Sequence, residues 1–107
     1  MQAVLDTFAY GLDFLGEHVA DVADADMAAQ PDGIANHPAW VIGHLTYACQ
    51  LLGGVVELAR WLPDDWAARF GPGSVPVADA QAYEPKHQGL ERLRDAHARI
   101  TAAVERL

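Results

Sequence analysis

Histidine is the residue type in this sequence with the clearest capacity for chemistry. His44 lies in the longest apolar segment, His97 falls at an inward position of the last amphipathic segment, and His18 lies at the edge of the first. Imidazoles from different helices can converge inside a bundle and bind a divalent metal such as zinc or nickel. The alternative for each is a core histidine hydrogen-bonded to a neighbour. The candidate metal ligands are therefore His44 and His97, with His18 or His37 as a third.

Cys49 is the only cysteine, so the sequence offers neither an intrachain disulfide nor a cysteine cluster for zinc. It lies within an apolar helical segment, where burial raises the pKa of a thiol and makes it a poor nucleophile. The sequence also lacks Cys-x-x-Cys, His-Glu-x-x-His, a glycine-rich phosphate loop and a Gly-x-Ser-x-Gly elbow. Histidine chemistry is what remains.

Composition and charge narrow the class of protein. The 107 residues are 51% hydrophobic and 21% charged, which is typical of a single globular domain, here residues 1–107. A net charge of −8 with only seven Lys and Arg argues against binding to nucleic acid or an anionic membrane. No apolar run approaches eighteen residues, and the N-terminal segment has no positively charged start ahead of an apolar run. We expect a cytoplasmic protein.

Apolar residues at spacings of three and four predict three main helices, and hence an all-α antiparallel bundle. The helices are expected at about Gln2–Ala25, Pro38–Leu62 and Lys86–Leu107. The second is apolar over more than one face, so it should be the most buried, with the others packed against it. Between Pro63 and Pro85 the helical pattern breaks, which predicts a long loop that docks on the bundle through its aromatic side chains.

The start of the second helix has a clear sequence signal. Pro38 suits a first helical position, and Asn36 or His37 supplies the capping position before it. The preceding Gln30–Gly33 has the composition of a turn. Glycines inside the helix indicate close approach of a neighbour or a bend, and these are Gly43, Gly53 and Gly54.

Two segments together resemble a known family. Residues 36–45 read Asn-His-Pro-Ala-Trp-Val-Ile-Gly-His-Leu, and they are followed by Phe-Gly-Pro-Gly-Ser at 70–74 and by Ala82-Tyr83. This order is similar to the first part of a DinB-like (DinB/YfiT) domain. The resemblance implies a four-helix bundle, often dimeric, in which many members hold a divalent metal with three histidines. Some members are thiol-dependent S-transferases or isomerases.

Position by position, the family's first metal histidine corresponds to His44. The other two normally come from a His-x-x-x-His motif on a last helix, and this sequence contains no such motif. The resemblance therefore implies a domain truncated relative to the family, with an incomplete metal site. His97 is a conceivable substitute ligand, although the resemblance gives it no such role.

A bundle without its fourth helix exposes apolar surface, which favours association, so we expect a homodimer. Two functions stay open. The first is a dimerising or small-ligand-binding module with an incomplete metal site. The alternative is a divalent-metal-dependent enzyme in which His44 is a ligand and a small thiol or electrophile is the substrate.

Overall fold

The computed structural model describes residues 2–30 and 37–107, and these form an all-helical bundle without a strand. The predicted all-α class is confirmed. Within these described residues, 3₁₀ turns lie at Asp24–Asp26 and Ala80–Ala82. The α-helices of the same residues are α1 (Gln2–Val19), α2 (Pro38–Val55), α3 (Trp66–Phe70) and α4 (Lys86–Glu105). Asn36 and most of the predicted turn at Gln30–Gly33 lie outside the described residues. Among the helices described, none has the length and apolar character needed to cross a membrane.

The main core lies where α4 meets α1 and α2. Leu93, Ala96 and Ile100 of α4 are almost completely buried, and they pack with Ile42 and Cys49 of α2. From α1 the core receives Leu5, Leu12 and Val19, which are spaced seven residues apart and so lie on one side of the helix. As predicted, α2 is the most buried helix, since only Leu51, Gly54 and Val55 are exposed along its length. However, α1 makes its main contacts with α4 rather than with α2.

Helix α1 ends at Val19, before the predicted Ala25, because another part of the chain caps it. The Lys86 Nζ donates hydrogen bonds to the carbonyls of Val19, Ala20 and Val22, at 3.0, 3.2 and 2.6 Å. An ammonium group at this end neutralises the partial negative charge of the last carbonyls. A second contact joins the same two segments, because Asp24 Oδ1 accepts a hydrogen bond from the Lys86 backbone N–H at the start of α4.

Helix α2 begins as predicted but ends at Val55, seven residues before the predicted Leu62. The end is a Schellman motif in which Leu58 N–H donates to the Gly53 carbonyl and Glu57 N–H to the Gly54 carbonyl. Glu57 takes the left-handed conformation that this motif requires, with φ of 61°. The prediction was wrong because apolar periodicity continues past Val55, whereas the backbone reverses there.

The segment after α2 folds back along it. Gln50 Oε1 accepts hydrogen bonds from the backbone N–H groups of Trp61 and Leu62. Helix α3 then buries Trp66 and Phe70 in a second apolar cluster with Leu62. The predicted loop therefore contains one short helix, and its aromatic side chains dock on the bundle as expected.

Candidate functional site around His44

The His44 ring is held in one orientation by two contacts. Its Nδ1 lies 2.8 Å from the Phe70 carbonyl oxygen, and its ring stacks on Trp40 with centroids 4.6 Å apart and planes 12° from parallel. A carbonyl can only accept a hydrogen bond, so Nδ1 carries the proton in neutral His44. The other nitrogen, Nε2, then has a free lone pair.

The loop at 70–74 completes this arrangement. Ser74 Oγ accepts a hydrogen bond from Trp40 Nε1 at 3.1 Å and donates one to the Gly71 carbonyl at 2.7 Å. Phe70 lies directly against Gly43, where a side chain would collide with its ring. The two segments that carry the family resemblance, 36–45 and 70–74, therefore pack together in space. We call Trp40, His44, Phe70 and Ser74 the His44 cluster.

The Nε2 atom of His44 has no hydrogen-bond partner among the described residues. This atom is also accessible to solvent. Among the described residues, the buried side-chain nitrogen or oxygen atom without a hydrogen-bond partner is Trp61 Nε1, and His44 Nε2 is not such an atom. A tautomer fixed by a backbone carbonyl, with the second nitrogen free, is the usual arrangement of a metal-binding imidazole. His44 can therefore act as one nitrogen ligand or as a proton acceptor.

Helix α2, which carries His44, has no charged side chain. No Asp, Glu, Lys or Arg occurs between Pro38 and Val55. The residues that follow His44 at spacings of three and four lie on the side of α2 that faces away from the core. Two of them are well exposed, with Leu51 at 52% and Val55 at 72%. We call this surface the α2 outer face, and its residues are Val41, His44, Ala48, Leu51 and Val55.

The other two predicted ligands lie in separate places. His97 is half-buried between α4 and α1, where its Nε2 is 3.2 Å from the Leu5 carbonyl oxygen and its ring stacks on Phe8. His18 is exposed near the end of α1 and stacks on Phe14. Both of these rings contact residues of α1, whereas His44 contacts Trp40 of α2 and Phe70 of α3.

His37 has a structural role. It is completely buried and caps α2, with Nδ1 accepting a hydrogen bond from Trp40 N–H at 3.1 Å. Its Nε2 donates to the Val77 carbonyl at 2.7 Å, and its ring meets the Tyr83 ring edge-on. Both nitrogens are used, so His37 in this arrangement offers no lone pair to a metal.

The described residues do not assemble the predicted metal site. Residues 2–30 and 37–107 contain no group of three or more His, Cys, Asp or Glu side chains placed to hold a metal ion. His44, His97 and His18 are thus not brought together within one chain. A zinc or nickel ion does not fit these residues alone, and His44 would need ligands from elsewhere to bind one.

Cys49 is buried, as the sequence predicted. Its side chain is 1% exposed in the main core, and burial raises the pKa of its thiol to about 12. At neutral pH it stays protonated.

Sequence reasoning missed the partner that orients His44. That partner is the backbone carbonyl of Phe70, twenty-six positions away along the chain. A backbone group carries no side-chain signal, so only the order of the two resembling segments pointed to the contact. The Trp40 ring, in contrast, lies in the motif itself.

Comparison with known proteins identifies the family to which this chain belongs. A family model described as DinB superfamily matches residues 12–107, which is most of the chain. No curated protein and no solved structure matches the sequence. The matched range includes both segments of the His44 cluster and all of α2, α3 and α4, and the chain belongs to the DinB superfamily.

Proposed function

We propose that this protein is a self-associating helical module of the DinB superfamily, a homodimer in which the α2 outer face of one copy packs against that of the other. The observation that carries the proposal is the uncharged, partly exposed surface of α2. Apolar surface of this kind on one side of a helix is typical of contacts between chains. The module acts by association rather than by catalysis.

Charge favours α2 over the other helices as the contact. Two copies with a net charge of −8 each repel one another, so carboxylates at the contact would weaken it. The exposed side of α1 carries Asp13 and Glu17 beside its aromatic residues, whereas α2 carries no charged residue. In a two-fold dimer the same patch meets itself, and a stripe with spacings of three and four can interdigitate with its own copy.

A metal-dependent enzyme is the second candidate, and the geometry of His44 favours it. The Phe70 carbonyl leaves Nε2 as a free nitrogen donor on the α2 outer face. Further ligands would have to come from a second copy or from outside the described residues. A bound divalent metal would lower the pKa of a coordinated water or small thiol. In this candidate His44 is a ligand, Phe70 orients it, and Trp40 shields one face of its ring.

Self-association is tested by the mass of the protein in solution. Size-exclusion chromatography with light scattering should give twice the chain mass of 11.6 kDa at micromolar concentration. Leu51→Glu places a carboxylate on both sides of the contact and should give a monomer. Val75→Glu is the matched control, because Val75 is 78% exposed in the loop and lies outside α2. The proposal would be overturned if the parent protein had the mass of a monomer. It would also be overturned if Val75→Glu reduced the mass to that of a monomer in the same way as Leu51→Glu.

Elemental analysis of protein purified without a histidine tag separates the two candidates. If the protein is a non-catalytic module, the purified protein should contain no stoichiometric zinc or nickel, even after incubation with either ion. Near-stoichiometric metal that is lost in His44→Ala would favour the enzyme instead. Metal that persists in His44→Ala would refute the role of His44 as a ligand.

A further inference from the structure

A surface cleft of about 490 Å³ lies between α2 and the chain that folds back after it. We propose that this cleft binds a small zwitterion with an apolar side chain, a ligand of the α-amino acid class. Its volume is in the range of small-molecule sites in proteins. The residues that carry the argument are Tyr47, Gln50, Leu51, Arg60, Leu62 and Asp64, all of which line it.

Two polar side chains on α2 offer hydrogen-bond donors to the cleft. The amide oxygen of Gln50 already accepts from Trp61 N–H and Leu62 N–H, at 3.0 and 2.9 Å, so the orientation of this amide is fixed. Its NH₂ group and the Tyr47 hydroxyl have no partner among the described residues, and neither is enclosed. Both are free to donate to a ligand.

Opposite charges face the same cleft without neutralising each other. Arg60 and Asp64 are both exposed, and within the described ranges neither belongs to an ion pair shorter than 4.0 Å. Three other arginines of this chain do pair with carboxylates, and these are Arg69 with Asp65, Arg92 with Glu84 and Arg99 with Asp95. The cleft therefore presents one free guanidinium and one free carboxylate.

These groups match the two ends of an amino acid. A guanidinium binds a carboxylate through two parallel hydrogen bonds, and the Gln50 amide and Tyr47 hydroxyl can add others. The Asp64 carboxylate suits an ammonium group. Leu51 and Leu62 provide apolar contacts for the side chain. A ligand with both charges also avoids the repulsion that a simple anion meets near a chain of net charge −8.

The ligand site and the proposed dimer contact can be separated. Leu51 borders both surfaces, but Arg60 and Asp64 lie beyond the end of α2 at Val55. Substitution of Arg60 or Asp64 should change ligand binding and leave the solution mass unaltered. Failure of either proposal would thus be recognised independently of the other.

Calorimetric titration with L-leucine tests the inference directly on the whole chain. Leucinamide lacks the carboxylate and 4-methylpentanoate lacks the ammonium group, so each should bind about tenfold more weakly than leucine. Equal binding of all three compounds would mean that only apolar contact is involved, and would overturn the zwitterion assignment. The absence of saturable leucine binding would also overturn it.

Two variants then locate the site. Arg60→Gln should weaken leucine binding about tenfold and remove the preference for leucine over leucinamide. Asp64→Asn should also weaken leucine binding about tenfold, and it should remove the preference for leucine over 4-methylpentanoate. Arg106→Gln is the matched control, because Arg106 is an exposed arginine directly after α4 and does not line the cleft. Leucine binding that is unchanged in Arg60→Gln and Asp64→Asn would place the ligand elsewhere and refute the proposal.

Discussion

Gly43 is a position where a single added methyl group should disrupt the His44 cluster. An added Cβ would overlap three atoms of the Phe70 ring, which is itself 3% exposed. The backbone carbonyl of Gly43 also accepts a hydrogen bond from Trp66 Nε1 at 3.2 Å. Gly43→Ala must therefore displace Phe70, and with it the carbonyl that orients His44.

The size of the effect follows from two opposing terms. Replacing glycine by alanine inside a helix stabilises it by about 1 kcal/mol. Expelling the Phe70 ring from its site should cost as much as truncating it, about 3–5 kcal/mol. We therefore expect Gly43→Ala to lower the free energy of unfolding by about 2–4 kcal/mol. In a Phe70→Ala background the ring is gone, so the same substitution should stabilise the protein by about 1 kcal/mol.

Urea unfolding followed by circular dichroism at 222 nm would measure these changes. Gly54→Ala is the control, because Gly54 lies in the same helix with nothing within 4 Å of an added Cβ. It should be neutral or stabilising. The imidazole nitrogen shifts of His44 should also show loss of the fixed tautomer in Gly43→Ala.

A change of sign between the two backgrounds is the decisive result. If Gly43→Ala costs the same with and without the Phe70 ring, the two residues do not interact and the reasoning is refuted. A Gly43→Ala variant as stable as Gly54→Ala would refute it as well, because the ring would then move aside freely.

Three further predictions concern stability. Glu57→Gly should raise the free energy of unfolding by about 1 kcal/mol in urea titrations, because glycine adopts the left-handed conformation without strain, while Glu57→Ala should give no gain. Lys86→Met should lower it by about 1–3 kcal/mol, since three carbonyls lose a charged donor, and an unchanged value would show that solvent replaces the Lys86 ammonium. Cys49 has an ordinary pKa of 9.0 when unfolded and about 12 when folded, so above pH 9 the unfolded chain loses this proton first and stability falls as pH rises. Cys49→Ala should remove that part of the pH dependence, and an identical slope in both proteins would contradict the prediction.

Much of the fold could be predicted from side-chain pattern. Apolar spacing predicted the three long helices, and the Pro38 signal located the start of α2, although α1 and α2 end earlier than predicted, at Val19 and Val55. The end of α2 could not be predicted in this way. Its Schellman motif depends on backbone hydrogen bonds at Gly53 and Gly54 and on a left-handed Glu57, a residue type with no preference for that conformation.

The candidate site was predicted in part. The sequence pointed to His44 and to the 70–74 segment, and the structure brings them together. The apolar patterns of the helices that carry His97 and His18 do not specify which neighbouring element each ring contacts. Packing of α1 against α4 directs His97 to the Leu5 carbonyl and leaves His18 exposed.

The sequence by itself determined the helical class, the burial of Cys49, the uncharged character of α2 and membership of the DinB superfamily. These properties depend on residue types and on their spacing along one element. The tertiary structure decided which His44 nitrogen is free, where α2 ends, and that the histidines stay apart. Those outcomes depend on backbone groups and on contacts between distant segments, which residue identity does not specify.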